Sequence, residues 1–236
     1  MPVVHWCAAG AYGICSKCRY SLMRALLGGT FNPPHQGHIK AGLEAINEIG
    51  VEQLALLPCK LPPHKTAPET TTAHRLKMLE LACEDEPALY VEPLELSLPA
   101  PSYTVKTLQH LRRTLGNEPL FFLLGEDSLY NLPSWYQWQS LTDYCHIVVM
   151  RRPASPGEPD ETLQAWLTER QCTQLDKFYH QPAGLVYYTD SQDYAVSSTQ
   201  LRDALTAGQT TDRVVTDWLS PAVLHYIKQH KLYGAI

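Results

Sequence analysis

Short apolar runs alternate along this chain with stretches whose apolar residues recur every three or four positions. Runs of that length suit strands buried on both faces, and the three-to-four spacing suits the helices that cover them. The pattern predicts strands at residues 25–27, 53–57, 89–94, 120–124, 146–150 and 185–188. Helices are predicted between them at 37–49, where Ile39, Leu43, Ile46 and Ile49 share a face, and at 73–83, 104–115 and 162–171. Two more follow the last strand: 199–207, ended by Gly208, and 221–230, with Pro221 in its first turn. Strand and helix in alternation mean an α/β fold: a doubly wound, largely parallel, Rossmann-like sheet with a small helical C-terminal part. Ligands of such sheets sit beyond the carboxyl ends of the strands, where strand order reverses. The loops after the first and fourth strands are therefore the places to search.

Two elements carry candidate chemistry. The first strand runs into Gly28-Gly29-Thr30-Phe31-Asn32-Pro33-Pro34-His35-Gln36-Gly37-His38 and then a helix. Glycines permit close backbone approach, a helix start offers unpaired N–H groups to an anion, and His35 and His38 are spaced to face one side. The same residues also admit a plain turn with a surface histidine, or a zinc-binding pair. Phosphate binding accounts best for the glycines, imidazoles and helix start together. Far down the chain, Ser197-Ser198-Thr199-Gln200-Leu201-Arg202 reads as a helix cap, or as hydroxyls and a guanidinium placed for a polyphosphate.

Together these elements are similar to the two signatures of the nucleotidyltransferase superfamily: His35-Gln36-Gly37-His38 resembles T/H-x-G-H, and Ser197 to Arg202 resembles the later S-S-T-x-x-R. The stretches Pro62-Pro63-His64-Lys65, Pro101-Ser102-Tyr103-Thr104, Gly125-Glu126-Asp127-Ser128-Leu129 and Pro133-Ser134-Trp135-Tyr136 narrow the resemblance to the nicotinate-nucleotide adenylyltransferase family. Arg151-Arg152-Pro153 and the closing 221–233 segment extend it in the same order. The resemblance implies transfer of AMP from ATP to nicotinate mononucleotide, with deamido-NAD and pyrophosphate as products and no covalent intermediate. It implies that His35, His38 and Arg202 are catalytic. Gly28, Gly29, Thr30, Phe31, Lys65, Ser198, Thr199 and Arg152 would bind ATP and its phosphates, although Arg151 and Arg152 also read as an ordinary surface pair. His64, Thr104, Asp127, Trp135 and Tyr136 would bind the mononucleotide, with Trp135 stacking on the pyridine ring unless it is an ordinary packed aromatic. Mg²⁺ is expected to arrive mainly on the ATP phosphates, and no metal site built by the protein is expected. One departure stands out: Glu126 replaces the Gln of many relatives, and a carboxylate near phosphates repels them unless it turns away or pairs with a cation.

Composition changes the picture little. The 236 residues are 44% hydrophobic and 18% charged, as in ordinary globular domains, with a formal net charge of -5. That balance argues against a nucleic-acid partner, and the apolar run at 120–124 is too short for a bilayer span. Seven scattered cysteines, an odd number, point to reduced thiols and a cytoplasmic protein. The Cys15–Cys18 spacing supplies only half a zinc site. Residues 1–22 read as a disordered, dispensable extension ahead of a single domain over 23–236. Oligomeric state is not legible. Rival readings are the same chemistry on nicotinamide mononucleotide, transfer to phosphopantetheine or a CDP-alcohol, and a non-catalytic nucleotide sensor.

Overall fold

The computed structural model describes residues 23–60, 70–151, 158–190, 192 and 194–235. The N-terminal extension, the Cys15–Cys18 pair, the stretch with His64 and Lys65, and Arg152 lie outside the described residues.

Six strands form one parallel sheet: β1 (Arg24–Gly29), β2 (Leu54–Pro58), β3 (Leu89–Val91), β4 (Leu120–Gly125), β5 (His146–Met150) and β6 (Val186–Thr189). Their order is β3-β2-β1-β4-β5-β6, so the chain winds outward from β1 and then reverses to the other side at β4. The helices are α1 (Gln36–Glu48), α2 (Thr72–Cys83), α3 (Leu94–Ser97), α4 (Thr104–Leu115), α5 (Glu126–Tyr130), α6 (Glu161–Arg170), α7 (Leu175–Tyr179), α8 (Ser198–Thr206), α9 (Arg213–Thr216) and α10 (Pro221–Gln229).

Alternate strand residues face opposite sides, and both sides are covered. Leu26, Leu57, Phe122, Leu124, Ile147 and Val149 pack against Val105, Leu108 and Leu111 of α4 and Leu163, Trp166 and Leu167 of α6. On the other face Leu27, Leu54, Leu56, Phe121, Leu123 and Val148 meet Ile39, Ile46 and Ile49 beside α1 and Phe178 of α7. A third apolar cluster joins α8, α9 and α10 through Leu201, Leu205, Val215, Val223 and Ile227, with Met78 of α2 as its link to the sheet layer. Fully burying each such side chain is worth about 1.5–3 kcal/mol.

Side-chain caps fix the starts of several helices. Asp160 accepts from Leu163 N at 2.7 Å, Ser220 from Val223 N at 3.3 Å ahead of Pro221, and Ser197 forms a reciprocal box with Gln200. Expected and observed elements differ mostly by a residue or two at their ends. The third strand is the exception, stopping at Val91 where 89–94 was expected. Pro93 has no N–H for the ladder, and Glu92 Oε1 accepts from Leu94 N at 3.1 Å, turning the chain into α3. The pattern gives no notice of α3, α5, α7 or α9, each only four or five residues long.

The register locates the crevice. β1 pairs with β2 as far as Gly29↔Pro58, but with β4 only as far as Leu27↔Leu123. The end of β1 thus parts from β4 at the point of strand-order reversal. Among the described residues, no helix is long and apolar enough to cross a membrane.

Candidate active site

β1 ends in Gly28 and Gly29, and the chain turns at Thr30 and Phe31 into the N-terminus of α1. A Cβ on Gly28 would lie 2.9 Å from Phe122 Cζ, and one on Gly37 would lie 2.6 Å from Val196 Cγ1. The first glycine admits the ring of β4 under the loop; the second lets the segment before α8 lie against α1. Phe31 has φ +49°, the left-handed region that costs a non-glycine residue about 1–2 kcal/mol. Its ring is buried and meets His38 edge-on at 5.1 Å.

His35 occupies the N-cap of α1 and is buried; its ring stacks on that of half-buried His38 with centroids 3.6 Å apart. The His35 N–H donates to His38 Nδ1 at 3.3 Å. An accepting Nδ1 puts the proton of a neutral ring on Nε2, where it can be donated onward. A shallow open cleft runs beside this pair, lined by Leu27, His35, His38, Met150, Arg151 and Tyr194 among others.

The distant serine–arginine segment lies against the same loop. Arg202 Nη1 donates to Asn32 O at 2.8 Å, and Nη2 to Thr199 Oγ1 at 3.2 Å. Ser198 Oγ donates to Pro33 O at 2.9 Å. The Ser198 hydroxyl proton is thereby committed to the loop, so toward an anion this residue offers its backbone N–H at the start of α8. The Ser198 hydroxyl thereby fastens the two segments together.

The residues expected to hold the mononucleotide lie beyond β4 and at the start of α4. Thr104 is the first residue of α4, and Asp127 is exposed at the second position of α5. Trp135 is half-buried and meets Phe122 edge-on at 6.5 Å, so Gly28, Phe122 and Trp135 form one continuous stack of contacts. Tyr136, 45% exposed, has its ring 4.5 Å from that of Tyr103. The N–H groups of Thr104 and Tyr136 meet no protein acceptor among the described residues. Glu126 Oε1 accepts from Tyr130 OH at 2.9 Å, one helical turn further on. Arg151 is exposed, forming an ion pair with Asp190 at 3.5 Å and lying 5.4 Å from the Tyr188 ring.

Three supports of the site are missing from the sequence reading. Tyr233 OH donates to Asn32 Oδ1 at 2.6 Å, and burial pushes its phenol up to about 12. Glu44 and Glu48, one turn apart on α1, accept from the N–H groups of Gln192 (3.1 Å) and Asp190 (3.0 Å), and also from Tyr194 OH and Tyr187 OH. They hold the segment that leads into α8. Arg75 of α2 is fully buried and donates to Thr30 O and Cys59 O, each at 2.8 Å. A usable signal did exist for Arg75, which stands on the same helical stripe as Met78, Leu79 and Ala82, where an apolar residue is the rule.

Comparison with known proteins agrees with this geometry. Residues 26–204 match the family described as Cytidylyltransferase-like. A protein of Pseudoalteromonas atlantica named "Probable nicotinate-nucleotide adenylyltransferase" is 40% identical over 208 residues, covering 88% of this chain and 93% of that one. One of Pseudomonas aeruginosa with the same name is 39% identical over 211 residues, covering 89% and 96%. The fold matches that of the Plasmodium falciparum nicotinic acid mononucleotide adenylyltransferase complexed with NaAD, with TM-score 0.68 at 18% identity, covering 91% of this chain and 98% of that one. The meeting of the two signatures at the sheet's reversal point, with identity at this level along nearly the whole length of these relatives, places the chain in the nicotinate-nucleotide adenylyltransferase family.

Proposed function

We propose that this protein transfers AMP from ATP to nicotinate mononucleotide, giving deamido-NAD and pyrophosphate. The observation that carries the reading is the Arg202–Asn32 bond, which brings the late guanidinium to the loop holding His35 and His38 across 170 positions of chain. A polyphosphate lying over that loop meets the start of α1, the start of α8, two imidazoles and a guanidinium. Each is a donor to anionic oxygen.

The reaction is an in-line displacement. An oxygen of the mononucleotide's 5′-phosphate attacks the α-phosphorus of ATP, and the bond to the pyrophosphate oxygen breaks. No side chain is adenylylated, so the protein's part is to align the two phosphates and to neutralise charge as it shifts to the leaving group. The Nε2–H of His38 suits that second task, and Arg202 suits the β- and γ-phosphates. Around the described loop the donors are imidazole, guanidinium, hydroxyl and amide groups. Mg²⁺ prefers oxygen ligands and gives up water reluctantly, so this set fits a Mg²⁺ borne by phosphates and water, where it supplies further positive charge.

The pyridine carboxylate fits the open Thr104 and Tyr136 N–H groups, since it can accept from both. An amide in its place offers one acceptor and turns an NH₂ group toward the second donor. One unpaired N–H costs at least about 1 kcal/mol, so kcat/KM is expected to favour the acid over the amide by about fivefold or more. Pyrophosphate release from ATP and Mg²⁺ with each mononucleotide in turn measures this ratio. Equal or better turnover of nicotinamide mononucleotide overturns the substrate assignment, and silence with both overturns the activity.

A further inference from the structure

Among the described residues, Arg75 is a buried cation that the reaction scheme above leaves unused. It is 1% exposed, and its guanidinium bonds mainly to backbone oxygen: Nη1 donates to Thr30 O at 2.8 Å, and Nη2 to Cys59 O at 2.8 Å and Lys60 O at 3.4 Å. The only side chain it reaches among the described residues is Thr72, at 3.2 Å. Its charge reaches the buried carboxyl of Glu95, where it opposes part of the upward push of burial, but its hydrogen bonds go to carbonyls; burying a guanidinium on such partners is costly, and an apolar side chain would fill the same stripe of α2 without that cost. The three carbonyls therefore need a reason to be held.

Thr30 supplies it. The peptide between Thr30 and Phe31 is trans, so its C=O and N–H point in opposite directions. Drawing Thr30 O inward onto Arg75 turns the Phe31 N–H outward, toward the mouth of the loop. The neighbouring peptide is aligned in the same sense: Gly29 O accepts from Cys59 N on the β2 side at 3.0 Å, so the Thr30 N–H points away from β2, to the side where β1 has parted from β4. Neither the Thr30 nor the Phe31 N–H has a protein acceptor among the described residues. Two successive open N–H groups beside a helix start form an anion-binding concavity.

The backbone records the strain of this arrangement. A half-turn of the 30–31 peptide about its axis would change φ of Phe31 from +49° to an ordinary negative value. It would also carry the carbonyl into the crevice and the N–H out of it. Relaxation of the strain and loss of the anion donor are thus one motion, and the Arg75–Thr30 bond opposes it.

We infer that Arg75 is a positioning residue that locks the 30–31 peptide with its N–H toward the triphosphate, while tying the loop after β1 to the loop after β2. The inference rests on the adenylyl-transfer reading only in naming ATP as the source of the anion.

The test uses the full-length chain labelled with ¹⁵N at its four phenylalanines, which gives four amide signals, the one from Phe31 being identified by its loss in F31L. Inorganic pyrophosphate is the probe. In the wild type the Phe31 amide is expected to shift on titration. In Arg75→Met it is expected to stay still at the same concentrations, while thermal unfolding remains cooperative and kcat/KM for ATP falls by at least about 10²-fold, the usual effect of losing one aligned donor. Arg75→Lys keeps the charge but reaches fewer carbonyls, so an intermediate loss of about tenfold is expected. If the Met variant fails to fold, the Lys variant decides by the same two readouts. A Phe31 amide that ignores pyrophosphate in the wild type, or that responds fully in the folded variants, overturns the inference, as does kcat/KM within about threefold of wild type. Should the wild type form no dinucleotide while its Phe31 amide still answers pyrophosphate through Arg75, the positioning role stands and the proposed activity falls.

Discussion

At the residue scale, the two ring nitrogens of His38 are set to different tasks. Nδ1 is turned back to the His35 N–H, and the stacked His35 ring fixes the plane of the imidazole. Nε2 carries the proton in the neutral ring. His38→Ala removes that donor and the acceptor of the His35 N–H together, so kcat is expected to fall by at least about 10²-fold. Steady-state kinetics with both substrates saturating measures it, and near-normal kcat would take His38 out of the mechanism. His38→Asn, whose amide can still accept from His35 N–H but reaches less far, should recover little of the loss. His35 and His38 were legible in the sequence because their spacing puts both on one side of a helix start. Arg75 shows in the sequence only as a charge on an apolar stripe and Tyr233 not at all, since their value lies in the carbonyl or amide oxygen they reach, 45 and 201 positions away, and no local pattern encodes those partners.

At the scale of elements, the periodic segments declared themselves and the short ones did not. α1 and α4 bury one face each, so a period of about 3.6 is written in their side chains, while strands such as β2, β4 and β5, covered on both faces, show as continuous apolar runs. Turns such as α5 and α9 hold four or five residues and are fixed by what they pack upon. The pairing of α1 with the segment before α8 is of the second kind. Glu44 and Glu48 look like an ordinary solvated i,i+4 pair in sequence, yet each accepts a backbone N–H from the chain that follows β6 and a tyrosine hydroxyl, Tyr194 from that same chain and Tyr187 from β6 itself. Bonds of N–H to a charged acceptor contribute about 1.5–3 kcal/mol each. Without them the start of α8 has to be ordered when ATP binds. The Glu44→Ala, Glu48→Ala double variant is therefore expected to raise KM for ATP at least several-fold and lower Tm, with kcat changing less. Glu44→Gln with Glu48→Gln keeps one accepting oxygen at each position and should lie closer to wild type. Unchanged KM for ATP in the alanine variant would show that α8 needs no such clamp.

Across the whole molecule, the sheet divides its duties between its two ends. The candidate chemistry sits beyond the carboxyl ends of β1, β4 and β5, whereas the amino end of β5 is closed by His146, which has no solvent exposure. There Leu185 N donates to His146 Nδ1 at 3.2 Å, and Nε2 faces Gln181 O at 2.9 Å, so the ring is neutral with its proton on Nε2. Burial lowers its pKa from 6.5 to about 4; the hydrogen bond to the Gln181 backbone pulls the other way, and the charge of Arg112 adds a smaller downward push. The unfolded chain takes up this proton near pH 6.5 and the folded one only near 4. The stabilisation due to the neutral ring is therefore complete above about pH 6.5 and is lost as pH falls toward 4. A shift of this size corresponds to a loss on the order of 3 kcal/mol from this one group. His146→Asn retains an acceptor near the Nδ1 position but has nothing to protonate, so it should start less stable and lose less. Urea unfolding at pH 7, 5.5 and 4.5 gives the comparison: between the first and last, wild type is expected to lose about 2–3 kcal/mol more than the variant. Parallel losses in the two proteins would remove His146 as the acid-sensitive group. Because that ring is at the far end of the sheet from the phosphate loop, the pH profile of kcat in the folded range should be the same in both.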